Sequence, residues 1–377
     1  MKKPHILFLF SDTGGGHRSA AEAIVEALGL EFGEAFTTEM VDFFKDYAPI
    51  PFNRMPDLYP TLVKAPRLWQ ASFYATDGRP QARVITYALW PAARRAARTL
   101  LASHPSDVVV AVHAFANSFS LKSLGRERTR RFITVVTDPV STHALWFDQR
   151  ADLILVPTES SRERAIEYHM PPEKVHVVGQ PVDDRHCAPP GDKRALREKL
   201  GWPQDKLLAL IVGGGEGMGP IERTAIAIAE SGLDVGLVVV SGRNEALKKK
   251  LDSRTWAIPT RIYGFTREMP DFMRAADVLV TKAGPGTIAE ALNAALPIIL
   301  YARLPGQEDG NVTYVQREKV GVWAPTADRV VHTLRRWVEN PEERERFASN
   351  CRRVAHPDAA RLIARFIGEQ ARIRSGA

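Results

Sequence analysis

A histidine follows a glycine triplet near the start of the chain, where its type and position could serve proton transfer. Residues 11–24 read SDTGGGHRSAAEAI, so the triplet comes after an apolar run and His17 begins a helical pattern. Glycines let the backbone approach a ligand closely, and a helix N-terminus offers unpaired N–H groups to an anion. An imidazole can take up a proton near neutral pH. The segment therefore favours a ligand-binding turn, and a tight turn with a histidine that does no chemistry is the structural alternative.

A second glycine-rich loop follows the apolar run at residues 207–212. Residues 213–219 read GGGEGMG, which places five glycines in seven positions, more than a tight turn requires. Backbone that carries no side chains can lie very close to another group. We therefore predict that Gly214 and Gly215 contact either the phosphates of a nucleotide or an opposing domain.

A third glycine turn follows an apolar run that ends at Thr281. The turn leads into a helical pattern, and the N-terminal dipole of a helix suits a diphosphate. Glu290 falls one turn inside that helix, where its carboxylate could accept hydrogen bonds from both hydroxyls of a ribose. The turn residues are Gly284, Pro285, Gly286 and Thr287.

The next apolar run, at residues 297–300, precedes a polar loop that reads PGQEDGN at residues 305–311. Amide and carboxyl groups at the end of a strand could bind sugar hydroxyls, and an exposed acidic loop is the alternative. The candidates are Gln307, Glu308 and Asn311.

Short apolar runs that alternate with turns and helical patterns predict the fold. The first series lies at residues 6–10, 108–112, 132–136, 153–156 and 175–178, and the second at 207–212, 235–240, 260–263, 278–281 and 297–300. This alternation is typical of buried parallel strands and predicts an α/β fold of two Rossmann-like, doubly wound domains. Because ligands bind beyond the carboxyl ends of such strands, we expect the site at a cleft that the two domains face.

The length of 377 residues also predicts two domains, at roughly 150 residues each. A proline-rich stretch near residues 181–193 is the predicted linker, which gives an N-terminal domain at 1–182 and a C-terminal domain at 193–377. We expect the last helix to pack back on the first domain. With 45% hydrophobic and 25% charged residues, the composition excludes a disordered chain.

Cysteine content and hydropathy limit the cellular locations that we expect for the protein. Two cysteines, Cys187 and Cys351, are too few for a disulfide scaffold and lack the spacing of a zinc site, which favours a reducing cytoplasm. No apolar run reaches the length of a signal peptide or a membrane span. We therefore expect a protein that is soluble or bound at a membrane surface.

The net charge of +7 makes anionic partners plausible. Residues 79–98 carry arginines and no acid, and a second basic cluster lies at 122–131. Interleaved aromatic residues favour an anionic membrane surface, although a solvated helix face explains such charges equally well. The proline- and aromatic-rich segment 47–90, which interrupts the α/β rhythm, is the candidate flap on the acceptor side. The candidate surface residues are Arg79, Arg83, Trp90, Arg94 and Arg95.

Several segments together resemble one known family. Residues 281–292 and 296–315 are similar to the nucleotide-sugar-binding region of monogalactosyldiacylglycerol synthases, glycosyltransferases of family 28 with the GT-B fold. Residues 11–24 resemble the N-terminal signature of that family, and so does VVTDPVSTH at 135–143. The resemblance covers most of the chain in order. A more distant similarity links the chain to the enzyme that adds N-acetylglucosamine to lipid I.

This resemblance implies an inverting transfer of a hexose, with galactose favoured, from a UDP-sugar to the free hydroxyl of 1,2-diacylglycerol. It assigns His17 as the general base and makes Asp138 and His113 candidates for the same role or for orienting His17. It also implies that Glu290 binds the ribose and residues 284–287 the diphosphate. It further implies a uracil pocket around residues 263–265. The remaining UDP-sugar contacts that it implies are Gly16, Gly214, Gly215, Gly264, Phe265, Gln307, Glu308 and Asn311.

The expected requirements and partners follow from the same reasoning. No Asp-x-Asp triplet occurs in the sequence, so we expect no metal and no cofactor, with helix N-termini stabilising the departing UDP. The expected partners are a UDP-hexose, diacylglycerol and an anionic membrane surface, with no nucleic acid, because no nucleic-acid-binding motif occurs. The expected location is the cytoplasm, peripheral on the inner face of the cell membrane.

Three other activities stay open at this point. A diacylglycerol glucosyltransferase differs only in the donor hexose. An enzyme similar to the lipid I N-acetylglucosaminyltransferase would share the donor half. A UDP-sugar 2-epimerase has the same architecture and needs no lipid, so that donor incubated without lipid would reveal it.

Overall fold

The structure is a computed structural model that describes residues 3–13, 15–50, 52–55, 57, 65–125, 129–189 and 191–375. Within these ranges, twelve parallel strands form two six-stranded sheets. The chain divides into two compact units. The first comprises Met1–Asp184, Leu304–Gln307 and Asp358–Ala377, and the second Arg185–Arg303 and Glu308–Pro357.

The first unit is a doubly wound sheet with the strand order β2-β1-β3-β4-β5-β6. Its strands are β1 (His5–Phe10), β2 (Thr37–Asp42), β3 (Val108–Ala111), β4 (Arg131–Val135), β5 (Leu153–Val156) and β6 (Val175–Val177). Its helices are α1 (Gly16–Phe32), α2 (Pro66–Thr76), α3 (Arg79–Ser103), α4 (Ala114–Leu124), α5 (Glu159–Glu167) and the last helix of the chain, α14 (Ala359–Ser375).

Alternating side chains of β1 point into two hydrophobic clusters, one on each face of the sheet. Ile6 and Phe8 pack with residues of α1 and α14, whereas Leu7 and Leu9 pack with residues of α3 and α4. Burial on both faces favours apolar residues at most positions, which explains why the central strands are near-continuous apolar runs.

The last helix, α14, completes the core of the first unit. Ile363 and Ile367 are fully buried in the same cluster as Ile24 of α1. A Cβ on Gly368 would lie 2.5 Å from the ring of Phe32, so this position requires glycine. At the surface, Arg365 donates a hydrogen bond of 2.7 Å to Glu31. Helix α14 is therefore part of the fold of the first unit.

The second unit is a doubly wound sheet with the order β12-β11-β10-β7-β8-β9. Its strands are β7 (Leu207–Val212), β8 (Val235–Val240), β9 (Thr260–Tyr263), β10 (Val278–Lys282), β11 (Ile298–Ala302) and β12 (Gly321–Trp323). Its helices are α6 (Lys193–Leu200), α7 (Ile221–Ala229), α8 (Glu245–Asp252), α9 (Met269–Ala275), α10 (Pro285–Asn293), α11 (Asp309–Arg317), α12 (Ala327–Glu339) and α13 (Pro341–Val354).

Each sheet has one point at which the strand order reverses. In the first sheet the reversal falls between β1 and β3, and in the second between β7 and β10. Ligands of doubly wound sheets bind beyond the carboxyl ends of the strands at such a point. The loops at these points begin at Ser11 and Val112 in the first unit, and at Gly213 and Ala283 in the second.

The α/β fold and two parallel sheets that the sequence predicts are confirmed, but two strands were missed. β2 reads TTEMVD with its first two residues exposed, and β12 is only three residues long. Both are edge strands with a single neighbour, so neither needs the apolar run that marks a central strand.

The described part of segment 47–90 is helical and contains no strand. Several predicted residues of this segment and of the basic cluster at 122–131 lie outside the described residues: Pro51, Pro56, Tyr59, Pro60, Arg126 and Arg128. Among the helices that are described, none is long and apolar enough to cross a membrane.

Candidate active site

His17 lies in the first turn of α1, at the point where the first sheet reverses its strand order. Its Nδ1 lies 2.9 Å from Oγ1 of Thr137, in the loop that follows β4. The centroid of the His113 ring is 4.7 Å from that of His17, edge to face, and the Trp146 ring is 6.2 Å away. The structure thus brings two of the predicted catalytic residues together and adds Thr137, to which the sequence assigned no role.

Both histidines are neutral at pH 7. Burial lowers the pKa of His17 to about 4, although a hydrogen bond to the backbone of Val112 opposes this shift. Burial, together with the neighbouring His17, lowers the pKa of His113 well below its ordinary value. A neutral imidazole can accept a proton, so the His17 pocket favours a base over an acid.

His113 is more deeply buried than His17. Its Nε2 lies 3.4 Å from Oγ1 of Thr13, and Phe44 and Phe115 flank its ring. Within the described ranges its Nδ1 has no hydrogen-bond partner. The two imidazole rings pack edge to face, which suits a role for His113 in restricting the orientation of the His17 imidazole.

The carboxylate of Asp138 is buried and accepts a hydrogen bond of 2.7 Å from the indole Nε1 of Trp146. The hydroxyls of Thr142 and Ser161 donate to its backbone carbonyl at 2.9 and 3.0 Å. Asp138 therefore anchors the Trp146 indole beside His17.

Other residues of the SDTGGGHR segment hold the turn that carries His17. Arg18 donates two hydrogen bonds of 2.5 Å to the carboxylate of Asp12, and the Asp12 amide donates to Asp42 at 2.9 Å. Gly15 has a φ of 75°, which favours glycine, while a side chain at Gly16 would meet nothing within 4 Å. Gly14 lies outside the described residues. The open backbone at Gly16 leaves space for a ligand.

In the second unit, packing accounts for part of the glycine-rich loop after β7. A Cβ on Gly217 would lie 2.0 Å from the Ser241 carbonyl, and one on Gly219 would lie 2.7 Å from the Tyr301 ring. These two glycines are required by neighbours within the unit itself.

Gly214 and Gly215 instead lie beside two cationic side chains. A Cβ on Gly214 would be 3.3 Å from Cε of Lys282, and one on Gly215 would be 3.2 Å from Nη1 of Arg243. The sequence assigned no role to either cation; Lys282 is the last residue of β10, and Arg243 comes three residues after the end of β8. Two cations, each ion-paired with a glutamate, thus lie beside this loop, which favours the phosphates among the two predicted contacts.

The turn from β10 to α10 has the form of an anion site. The Gly284 amide donates to the Lys282 carbonyl at 2.8 Å, and no described side chain caps the N-terminus of α10. Its first-turn amides, which include those of Gly286 and Thr287, can therefore serve a ligand, and Pro285 supplies no amide. Glu290, one turn further, is half-buried, and its carboxylate has no hydrogen-bond or ion-pair partner among the described residues.

Asn311 and Glu308 are buried beside this turn. The Asn311 Nδ2 donates to the Ala283 carbonyl at 2.9 Å, whereas its Oδ1 has no partner within the described part of the chain. A buried oxygen without a partner costs about 1–3 kcal/mol, which a ligand hydroxyl would relieve. Glu308 accepts a hydrogen bond of 2.7 Å from Nζ of Lys282. Gln307 is half-buried and belongs to the first unit.

The predicted uracil position follows β9. Phe265 is 55% exposed, and the guanidinium of Arg243 lies 4.3 Å above its ring centroid. Arg243 also donates a hydrogen bond of 2.8 Å to Glu216. A Cβ on Gly264, next to Phe265, would lie 3.4 Å from Cδ of Lys248, an ordinary contact distance, so packing does not require glycine here. An exposed flat ring beside a cation can stack with a nucleobase.

The predicted membrane residues lie on α3, whose arginines Arg79, Arg83, Arg94 and Arg95 are all exposed. Trp90 is half-buried against the core, and the Lys122 ammonium lies 4.9 Å from its ring and 3.6 Å from that of Tyr87. Burial lowers the pKa of Lys122, and so does the neighbouring Arg150.

Solved structures similar to this one define the class of the fold. MurG from Acinetobacter baumannii matches with a TM-score of 0.59 and 15% identity, covering 97% of this chain and 99% of that one. UDP-GlcNAc 2-epimerase from Neisseria meningitidis, bound to UDP-GlcNAc, matches with a TM-score of 0.60 and 14% identity, covering 97% and 100%. At these identities the likeness shows the fold alone, which is GT-B.

Sequence comparisons identify the class of enzyme. The model described as the glycosyltransferase family 28 C-terminal domain matches residues 208–363, and the model described as monogalactosyldiacylglycerol (MGDG) synthase matches residues 17–182. Together with the fold, these matches place the chain among the glycosyltransferases of the GT-B class.

Curated relatives identify the family. Monogalactosyldiacylglycerol synthase 1 of Arabidopsis thaliana, described as chloroplastic, is 36% identical over 97% of this chain and 71% of its own length. The chloroplastic synthase of Spinacia oleracea is 36% identical over 97% and 72%. The chain belongs to the monogalactosyldiacylglycerol synthase family.

Replacing Thr137 by valine removes the hydroxyl that hydrogen-bonds His17 and preserves the shape of the side chain. We expect kcat to fall by roughly 3- to 10-fold, the net value of one hydrogen bond, with the KM for the donor unchanged. Steady-state kinetics measure both constants. Thr137→Ser, which restores the hydroxyl, should recover most of the rate; if it stays as slow as the valine variant, Thr137 does not position His17.

Proposed function

We propose that the protein transfers a hexose from a UDP-sugar to the free hydroxyl of 1,2-diacylglycerol, with inversion at the anomeric carbon and galactose as the hexose. The observation that carries this proposal is the identity of 36% with galactolipid synthases over 97% of the chain. That match includes both the His17 pocket and the β10–α10 turn. The product would be monogalactosyldiacylglycerol.

The first unit supplies the base. The neutral imidazole of His17 accepts the proton of the diacylglycerol hydroxyl while the hydroxyl oxygen bonds to the anomeric carbon. The bond between that carbon and the UDP oxygen breaks, and UDP departs with its electron pair. Thr137 and His113, which contact the His17 ring, restrict its orientation.

The second unit supplies the donor site. The diphosphate lies against the amides at the N-terminus of α10, where the helix dipole favours the charge that grows on departing UDP. Glu290 accepts hydrogen bonds from the ribose hydroxyls, and Phe265 stacks with the uracil. Oδ1 of Asn311, which is buried, accepts from a hexose hydroxyl.

We propose that this reaction needs no divalent metal, because the amides at the N-terminus of α10 and the ammonium of Lys282 lie at the proposed diphosphate position. Turnover of enzyme treated with EDTA and assayed without added metal is therefore expected to equal that of untreated enzyme. A loss of activity that Mg²⁺ or Mn²⁺ restores would contradict the proposed role of these groups.

We propose that α2 and α3 bind an anionic membrane surface. Every described side chain of α2 is at least partly exposed, and Leu68, Val84 and Tyr87 are exposed by 69%, 66% and 67%. These apolar groups share the helix pair with the exposed arginines. Apolar side chains insert into the membrane–water interface, and each arginine near anionic headgroups contributes about 1 kcal/mol to membrane binding. A soluble protein that acts on a bilayer lipid requires such a surface, and the inner face of the cell membrane is the proposed location.

Replacing Arg83 and Arg94 together by alanine should weaken binding to vesicles of phosphatidylglycerol and phosphatidylcholine by roughly 30-fold at low salt, from two contacts of about 1 kcal/mol. Sedimentation of the protein with vesicles measures this affinity. The matched control, Arg329→Ala with Arg335→Ala on α12, removes the same charge from the second unit and should change little. Equal loss in both double variants would exclude a specific role for α3.

Product analysis tests the proposed function. Vesicles that contain diacylglycerol are incubated with UDP-galactose and UDP-glucose in parallel, and lipid and water-soluble products are identified by mass spectrometry and chromatography. We expect monogalactosyldiacylglycerol from UDP-galactose at the higher rate. A faster reaction of UDP-glucose would identify the glucosyltransferase. An isomerised sugar formed without lipid, with no glycolipid, would overturn the proposal in favour of an epimerase.

A further inference from the structure

The side chain of Lys282 lies between the two glycine-rich turns of the second unit. Its Nζ would be 3.0 Å from a Cβ on Gly284, and its Cε would be 3.3 Å from one on Gly214. The strand pairing between β10 and β11 shifts register between Thr281 and Lys282, and such an irregularity re-aims a side chain. The ammonium thus lies next to the uncapped N-terminus of α10.

Lys282 is also bound to a carboxylate that the sequence predicts to hold the hexose. Its Nζ lies 2.7 Å from Oε1 of Glu308, and the two side chains are only 19% and 7% exposed. A diphosphate at the N-terminus of α10 would carry two negative charges close to the same ammonium. In a UDP-sugar the hexose is attached directly to the diphosphate. A bound UDP-sugar would therefore contact both members of the ion pair, Lys282 through its diphosphate and Glu308 through its hexose.

We propose that UDP-sugar binding exchanges the partner of Lys282 from Glu308 to the diphosphate, which makes Glu308 an acceptor for hydroxyls of the hexose. Lys282 is then a diphosphate-binding residue, and the exchange couples hexose recognition to the presence of the diphosphate. This inference rests on the proposed function and adds to it a coupling between the diphosphate contact and the hexose contact.

The proposed exchange predicts that UDP affinity rises when Glu308 loses its charge. An ion pair that only stabilises the fold does not predict this increase. When UDP alone binds, it must compete with Glu308 for Lys282 and gains no hexose contact in return. Glu308→Gln removes the competing charge, so UDP should bind about 10-fold more tightly, while the preference for UDP-galactose over UDP should fall. Lys282→Met should weaken both ligands by about 10-fold or more, the value of a hydrogen bond to a charged group.

Isothermal titration calorimetry of the full chain with UDP and with UDP-galactose tests the exchange in four proteins: wild type, Glu308→Gln, Lys282→Met and the double variant. In the Lys282→Met background, Glu308→Gln should no longer tighten UDP. If the gain persists there, it reflects charge repulsion alone and the exchange is wrong. The exchange is also wrong if Glu308→Gln weakens UDP in the presence of Lys282.

The matched control is Lys193→Met, at the opposite end of β10. Nζ of Lys193 lies 3.0 Å from Asp277, the residue just before that strand. Like Lys282→Met, this variant therefore breaks an ion pair between a lysine and a carboxylate of the second unit. UDP affinity should not change. A wild-type protein that binds neither UDP nor UDP-galactose would refute the proposed function itself. If the wild type binds both ligands but Glu308→Gln does not bind UDP more tightly, only the exchange is refuted.

Discussion

Replacing His17 by alanine is expected to lower kcat about 1000-fold, within the range by which a positioned general base accelerates reactions. The affinity for UDP should not change, because the contacts proposed for UDP itself, residues 284–290 and Phe265, belong to the second unit. Assays with diacylglycerol vesicles give kcat, and calorimetry gives the affinity for UDP. His332→Ala, which removes an exposed histidine of α12, is the matched control and should retain full activity. Loss of UDP binding in His17→Ala would assign His17 to the donor site instead.

The pH dependence supplies a second test of His17. A base must be unprotonated, and burial lowers the pKa of His17 to about 4, so the active neutral form persists as pH falls from 7 to about 5. The acid limb of kcat/KM is therefore expected near pH 4, not near 6.5. A half-maximal rate near pH 6.5 would show that the base has an unperturbed pKa, as an exposed histidine does.

Low pH should also destabilise the first unit. In the unfolded chain His17 regains its ordinary pKa of 6.5 and binds a proton that the folded state excludes until about pH 4. Stability therefore falls as pH drops from 6.5 towards 4, since the unfolded state binds more protons across that window. This loss must be measured separately, by denaturant unfolding, when the pH–rate profile of His17 is interpreted.

Replacing Glu290 by alanine is expected to weaken UDP and UDP-galactose by the same factor, about 100-fold. The ribose is common to both ligands, and two hydroxyls that donate to one carboxylate each contribute about 1.5 kcal/mol or more. Since the Glu290 carboxylate makes no ion pair or hydrogen bond among the described residues, its removal leaves no buried partner unsatisfied. The loss of affinity can then be assigned to the ligand and not to the fold.

Calorimetry with both ligands measures this effect, and thermal unfolding checks that the variant is folded. Glu339→Ala, an exposed glutamate at the end of α12, is the control and should bind as wild type. Equal affinity for UDP in Glu290→Ala and wild type would remove Glu290 from the donor site. A loss confined to UDP-galactose would move it to the hexose.

The strands at the centre of each sheet were predictable because they are buried on both faces and are therefore apolar at most positions. β2 and β12 escaped prediction because an edge strand with one neighbour tolerates polar or very short sequences. The reversal of strand order in each sheet then explains why the predicted motifs converge. The loops with His17 and His113 begin at neighbouring strands, and so do those with Gly214 and Gly284.

Contacts between distant parts of the sequence were not predictable. Thr137 hydrogen-bonds His17 across 120 positions, and nothing in its local pattern separates it from the adjacent Asp138. Lys282 is a single cation at the end of a strand, and its importance comes from Gly214, Gly284 and Glu308 around it. The opposite holds for Gly217 and Gly219. The glycine-rich pattern favours a ligand contact for their loop, whereas the structure shows that packing within the unit requires these two glycines.

In the proposed mechanism, the second unit binds UDP and the first unit supplies the general base. Hydrogen–deuterium exchange of the full chain with and without saturating UDP tests it most directly. The prediction is slower exchange at residues 284–290, with no change in the first turn of α1 around His17. Protection confined to the segment around His17, with residues 284–290 exchanging as in the free protein, would contradict the claim.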